Sequence, residues 1–150
     1  MSLPVTLTWP EVVHAVLTGA RRHYESTRKG SQPAHGFTGD SLSIHIDGAA
    51  AEMACAKALG LYWSAPVNTY KDADLGEDIQ VRLRRETGRQ LIVRPSDSDE
   101  HRYVHVTGTI PDFTVHGWIY GKDAKRDEWS QEYGGRPPAY FVPDEALEGL

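Results

Sequence analysis

The sequence contains a single cysteine, Cys55, and one thiol can close neither an internal disulfide nor a structural zinc site by itself. That usage fits a reducing, cytoplasmic setting. No run approaches the ~18 consecutive apolar residues that a membrane span needs. The opening segment lacks a basic stretch followed by an apolar one, so no signal peptide is expected. Internal repeats and low-complexity tracts are missing too. Basic charge is in deficit: 16 Lys and Arg stand against 21 Asp and Glu, for a net charge of −5. This argues against non-specific coating of nucleic acid, but it leaves room for a local basic groove, because charge is screened beyond ~8 Å at physiological salt. The histidines follow no H-E-x-x-H spacing, so no zinc site is expected from them.

What is present describes one folded domain. The chain has 150 residues, 39% of them hydrophobic and 25% charged, with four Trp and seven Tyr, which is ordinary for a globular protein and too apolar for a disordered one. Thr8-Trp9-Pro10-Glu11 is a capping box with Pro in the first turn. Val12, Val13, Val16 and Leu17 then form a helical stripe, and Arg21, Arg22 and His23 close the helix with cations. Residues 26–39 read as a surface loop able to close over a substrate, with Arg28, Lys29 and His35 on it. Asp40 or Ser41 opens a second helix to about Leu59, apolar over most of its circumference and so buried on more than one side, with Gly60 as its stop.

Beyond Gly60 the period changes. Ile79 to Arg84 alternates as a strand, Glu86 to Arg89 reads as a hairpin turn, and Gln90 to Arg94 reads as the returning strand. Tyr103 to Val106 and Phe113 to Tyr120 are two more strands, the latter with Phe113, Val115, Gly117 and Ile119 on one face. A short polar helix is expected over Lys122 to Ser130, and an edge strand at Phe141 to Pro143. Helices followed by a strand meander predict an α+β domain with a mixed sheet flanked by helices.

Three features bear on chemistry. From Gly48 to Trp63 only Glu52 and Lys57 are charged, so Glu52 is either on a narrow exposed strip or turned inward for a purpose. Asp74 lies in a turn ahead of a strand. On that strand Gln80, Arg82 and Arg84 share a face. Singly, each has an ordinary explanation in a turn, a solvated strand face or a helix edge. Together, an acid before a strand, an i, i+2 pair on it and a carboxylate from an upstream helix are the parts of a metal-dependent phosphodiesterase. Arg82, Arg84, Arg85, Arg89, Arg94 and Arg102 fall on neighbouring predicted strands and offer a local basic surface. Cys55 reads as a small core residue, Trp63 and Trp118 as core or rim aromatics, and His105 with His116 as a hydrogen-bonded surface pair. The Gly134 to Pro138 stretch reads as a loop.

The Glu52-Met53-Ala54-Cys55-Ala56-Lys57 helix with Leu59-Gly60, then Asp74-Leu75-Gly76, then Gln80-Val81-Arg82, and later Gly117-Trp118-Ile119-Tyr120-Gly121 and Tyr140-Phe141-Val142-Pro143, resembles the PD-(D/E)XK nuclease superfamily. More narrowly, the ordered set is similar to small phage and prophage members, over roughly residues 40 to 147. The resemblance implies a restriction-endonuclease-like fold and a Mg²⁺- or Mn²⁺-dependent nuclease, with DNA as the preferred partner, cytoplasmic location in a bacterial host and a homo-oligomer as an option. It implies Asp74 as central metal ligand, with Glu52, the Gln80 amide oxygen and the Val81 carbonyl completing the metal shell. Glu52, Asp74, Gln80 and Arg82 would form the catalytic set. Arg84, Arg85, Lys57 and Lys71 would contact nucleic acid, with Lys57 or Lys71 as substitutes for a missing lysine. Two departures stand out. Gln80 replaces a carboxylate and removes a negative charge. Arg82 replaces a lysine and cannot take up a proton, though it can neutralise a phosphorane. The alternative is a catalytically weakened nuclease fold that binds nucleic acid or a protein.

Overall fold

The computed structural model describes residues 2–30, 40–67, 72–132 and 134–150. The elements in order are β1 (Leu3–Thr6), α1 (Trp9–Arg28), α2 (Ser41–Leu59), β2 (Ile79–Arg84), β3 (Leu91–Val93), β4 (Arg102–Thr109), β5 (Asp112–Tyr120), the single turn α3 (Gly121–Ala124), β6 (Ser130–Gln131) and β7 (Ala139–Val142). The chain is α+β, with a mixed four-stranded sheet in the order β1-β5-β4-β2 and a three-stranded sheet in the order β3-β7-β6. In the larger sheet β2 runs parallel to β4, and the other neighbours are antiparallel. No helix among the described residues is long and apolar enough to cross a membrane.

The helices form as their sequence requires. The Thr8 side chain accepts from the Glu11 N–H while the Glu11 carboxylate accepts from the Thr8 N–H, closing the capping box. Asp40 caps α2 by accepting from Leu42 and Ser43, and Gly60 ends it in the left-handed region at φ 68°, a conformation that disfavours a Cβ. α1 runs through Arg28, past the predicted stop at residues 21–23, with Arg28 paired to Glu25 one turn back. Residues 31–39 of the expected loop lie outside the described residues.

Two cores lie on opposite faces of the large sheet. On one, α1 and α2 pack Val12, Ala49, Ala50, Ala54 and Cys55 against Val104, Val106, Phe113 and Val115. On the other, Leu91, Val93 and Val142 of the small sheet cover Tyr103 and Ile119. A bulge explains how β5 serves both. His105 pairs with Gly117 but Val106 pairs with Val115, leaving His116 as an extra residue. One added residue reverses the in–out parity. Phe113 and Val115 therefore face the helices while Ile119 faces the small sheet, which corrects the expectation of a single face. The bulge also stacks the His116 ring on His105 at 4.7 Å, and His105 is fully buried rather than a surface residue.

The expected β2–β3 hairpin does not form. One edge of β2 is taken by β4, and the other is met by Asp74 and Leu75, with Leu75 bridging Ile79. β3 is therefore free to join β7. β1, which the sequence reading omitted, covers the outer edge of β5. In place of a helix over Lys122–Ser130 there is one α-turn and a 3₁₀ turn at Asp127–Trp129, because Lys125 leaves helical geometry and reaches the Asp97 carbonyl and the Asp99 carboxylate.

Gly19 sets the approach of the two long helices. A Cβ there would fall on the Ile46 backbone of α2. Gly→Ala inside a helix ordinarily stabilises by about 1 kcal/mol, but overpacking against backbone costs about 1–3 kcal/mol. Gly19→Ala is therefore expected to lower the urea midpoint rather than raise it.

Candidate functional site

The site forms at the open edge of β2. Asp74 N–H donates to the Ile79 carbonyl at 2.8 Å, and Gly76, at φ 56°, turns the chain so that the short Asp74–Leu75 segment runs back along β2. The Asp74 carboxylate then accepts from the Val81 N–H at 2.8 Å. The N–H and C=O of one residue in a strand face the same edge, so the Val81 carbonyl is turned to the side that Asp74 occupies.

Glu52 comes from α2. The surroundings of that helix are so apolar that its carboxylate, 7% exposed, needs partners from elsewhere. Arg22 of α1 supplies a two-pronged ion pair, Nη1 and Nη2 each 2.8 Å from a carboxylate oxygen, and the Trp63 indole N–H donates at 3.1 Å. Arg22 is itself fixed by donating from Nε to the Pro66 carbonyl at 2.8 Å. Trp63 is braced by the His14 ring at 5.0 Å.

The charge of Glu52 bears on Asp74. Burial, and then the negative charge of Glu52, push the Asp74 carboxyl from 3.8 up to about 7, while the Val81 N–H, Arg22 and Arg82 pull it down. Burial, followed by the charges of Asp74 and Glu52, pushes the nearby Cys55 thiol up to about 12, so it stays protonated and is no nucleophile.

The other expected residues divide. Gln80 is buried, and its amide nitrogen donates to the Asp72 carbonyl and meets His101 Nδ1 at 3.2 Å. Arg82 makes a two-pronged pair with Asp97, both contacts at 3.0 Å, and lies 4.9 Å over the Tyr103 ring. Lys57 is elsewhere, clamping the Thr6 carbonyl and Glu11 at 2.9 Å each. Lys71 lies outside the described residues.

Arg84 and Arg85 line a groove of about 580 Å³ together with Arg89, Arg94 and Arg136, against one acid, Glu86. A smaller hollow of about 350 Å³ joins Arg82, Arg84 and Arg94. Burial, then the charges of Arg136 and Arg82, lower the Arg94 pKa, while Asp97 raises it. Several of these arginines are also tied internally: Arg84 donates to the Gln90 carbonyl at 2.7 Å and Arg85 pairs with Asp47 at 3.0 Å. Arg102 leaves the group and pairs with Asp78.

Arg22 and Trp63 are the site residues that the sequence reading did not place. In the sequence Arg22 reads as one of the cations that close α1, and its spacing along that helix carries no mark of a partner on α2. Comparison of the chain with protein-family models, curated proteins and solved structures finds no match.

Proposed function

We propose that the protein is a divalent-metal-dependent nuclease on a restriction-endonuclease-like version of this fold, in which Asp74 and Glu52 hold Mg²⁺ or Mn²⁺ and the substrate is nucleic acid, DNA preferred. One observation carries the reading. The Glu52 carboxylate is buried, Asp74 is half-buried, and the charge of Glu52, after burial, raises the Asp74 pKa, at a strand edge that also offers the Val81 carbonyl. Acids forced together in an apolar setting are a frequent signature of a cation site. The two carboxylates and the Val81 carbonyl offer oxygen donors, which suits a hard cation.

A divalent ion bound there supplies Lewis acidity and a lowered pKa for the attacking water. The protein's own groups do the rest. The Val81 N–H fixes the Asp74 carboxylate against the strand edge. Arg22 and Trp63 hold the Glu52 carboxylate in one orientation. Arg82, clamped by Asp97, offers a permanent positive charge to a phosphate and cannot act as the base. The arginine-lined groove matches a polyanion, and binding to it should weaken steeply with salt.

The test is cleavage of single- and double-stranded DNA and RNA in Mn²⁺, with EDTA and Asp74→Ala as controls. Cleavage that needs the metal and is lost in the variant is expected. Equal cleavage by Asp74→Ala removes the mechanism. A second reading, a nucleic-acid or protein binding module, is favoured by the ion pairs that already engage Glu52 and Arg82. Calorimetry separates the two, since a module shows no divalent-cation binding at the Asp74–Glu52 pair.

A further inference from the structure

We propose that His105, His116 and Asp144 form a binding site for a borderline transition-metal ion of the zinc class, separate from the acid pair at the β2 edge. The three come from β4, the bulge of β5 and the 3₁₀ turn Asp144–Ala146 that follows β7. One ligand atom from each lies within 4.8 Å of the others. His105 Nδ1 is 2.9 Å from Asp144 Oδ1, and His116 Nδ1 is 3.6 Å from Asp144 Oδ2. Metal–ligand bonds of about 2.0–2.1 Å in a tetrahedral shell separate ligand atoms by roughly 3.3 Å. Small ring rotations suffice to reach that spacing.

The surroundings favour ligation over a chance meeting. The bulge exists at His116 itself, and it brings that ring onto His105. His116 Nε2 is 2.8 Å from Thr107 Oγ1. In the tautomer that donates this proton, the Nδ1 lone pair is aimed at the Asp144 carboxylate, which is the arrangement metal-ligating imidazoles adopt. His105 is fully buried, and its Nε2 has no hydrogen-bond partner among the described residues. Nε2 lies across the ring from Nδ1, so His105 would ligate through Nδ1, the nitrogen that already faces Asp144. Asp144 is half-exposed, so an ion can enter from solvent and keep a water as fourth ligand.

The donor set gives the class of ion. Two imidazoles and one carboxylate suit zinc, cobalt or nickel, whereas magnesium and calcium prefer oxygen. The bound ion would fasten the C-terminal segment to the β4–β5 pair, next to the bridge where Trp118 and Glu148 exchange backbone hydrogen bonds at 3.0 and 2.8 Å. No short motif announces the site, because its ligands are spread over three separate elements.

The probes are Zn²⁺ by calorimetry and thermal melting, and Co²⁺ by visible absorption, on the whole chain. One equivalent of Zn²⁺ is expected, with the melting midpoint rising by roughly 5–10 °C at a hundredfold excess over Kd. Mg²⁺ should not reproduce the rise through this site. His116→Gln and Asp144→Asn, which spare the buried His105, should keep the metal-free circular dichroism spectrum and lose both signals, while Asp74→Asn keeps them. The site is overturned if wild type binds no Zn²⁺ at millimolar concentration. It is equally overturned if both variants bind like wild type, or if Asp74→Asn alone abolishes binding.

Discussion

Asp74→Asn is expected to abolish metal-dependent cleavage and, at pH 8, to make the protein more stable. The two results share one cause. A carboxyl whose pKa rises on folding binds its proton more tightly in the folded chain than in the unfolded one. Its favourable contribution is complete below its ordinary value of 3.8 and is lost as pH climbs through about 7. Between those limits the folded state holds more protons, so wild-type stability should fall as pH rises. Asparagine stays neutral at every pH and keeps an oxygen to accept the Val81 N–H. Its amide hydrogens need partners that the carboxylate did not, which offsets part of the gain. The net expectation is about 1–3 kcal/mol at pH 8 and little difference at pH 4. Mn²⁺ should raise the melting midpoint of wild type at pH 8 through the acid pair and leave the variant unmoved there. Melts from pH 4 to 8 read all of this. A variant less stable than wild type at pH 8, with the same pH slope, would mean that the Asp74 carboxylate is not under electrostatic strain.

The parts of the structure that were legible in the sequence are those governed by local chemistry. The Thr8 capping box, the Asp40 cap and the Gly60 stop each involve residues within one or two turns, and each appears as read. The alternation of Ile79 to Arg84 marked a strand for the same reason. What failed depended on distant partners. Ile79–Arg84 and Leu91–Val93 looked like a hairpin because the intervening residues favour a turn; only Asp74 and Leu75, occupying the β2 edge, keep β3 away. The β5 bulge cannot be read from β5 alone, since Phe113, Val115, Gly117 and Ile119 still alternate in sequence while their faces reverse. At the site, Glu52 stands out as an acid on an apolar helix, whereas Asp74, an ordinary turn aspartate by itself, gains meaning only in combination with it, and the charge of Glu52 raises the Asp74 pKa. Arg22 did not stand out, because a cation in the closing turns of an amphipathic helix already has an ordinary explanation. The arginines were legible as a group but not as individuals. Arg84 and Arg85 line the groove, whereas Arg102 answers to Asp78.

Arg22→Ala is expected to be the more damaging change at neutral pH, because it leaves Glu52 buried with only the Trp63 N–H as partner and Asp74 as neighbour. Arg22 and Glu52 are 16% and 9% exposed at their side chains, so solvent cannot replace the guanidinium. Removing one member of a buried ion pair typically destabilises by about 3–5 kcal/mol. Lysine in its place would keep the charge but cannot grip both Glu52 oxygens and the Pro66 carbonyl from one plane, so Arg22→Lys should recover only part of the loss. Two conditions should help Arg22→Ala more than wild type. Acid should, by protonating Asp74 and removing its repulsion of Glu52. Mn²⁺ should also, because the vacated guanidinium position leaves Glu52 Oε2 without a partner and Oε1 with Trp63 alone, opening the carboxylate to a cation. Denaturant titrations of the two variants at pH 5 and 8, with and without Mn²⁺, resolve these effects. A larger Mn²⁺-induced rise in Arg22→Ala than in wild type would identify Arg22 as a competitor of the metal for Glu52. An Arg22→Ala variant as stable as wild type would show that the Glu52 carboxylate is not held by the pair. A destabilised variant with no added response to the ion would confine Arg22 to holding α1 against α2.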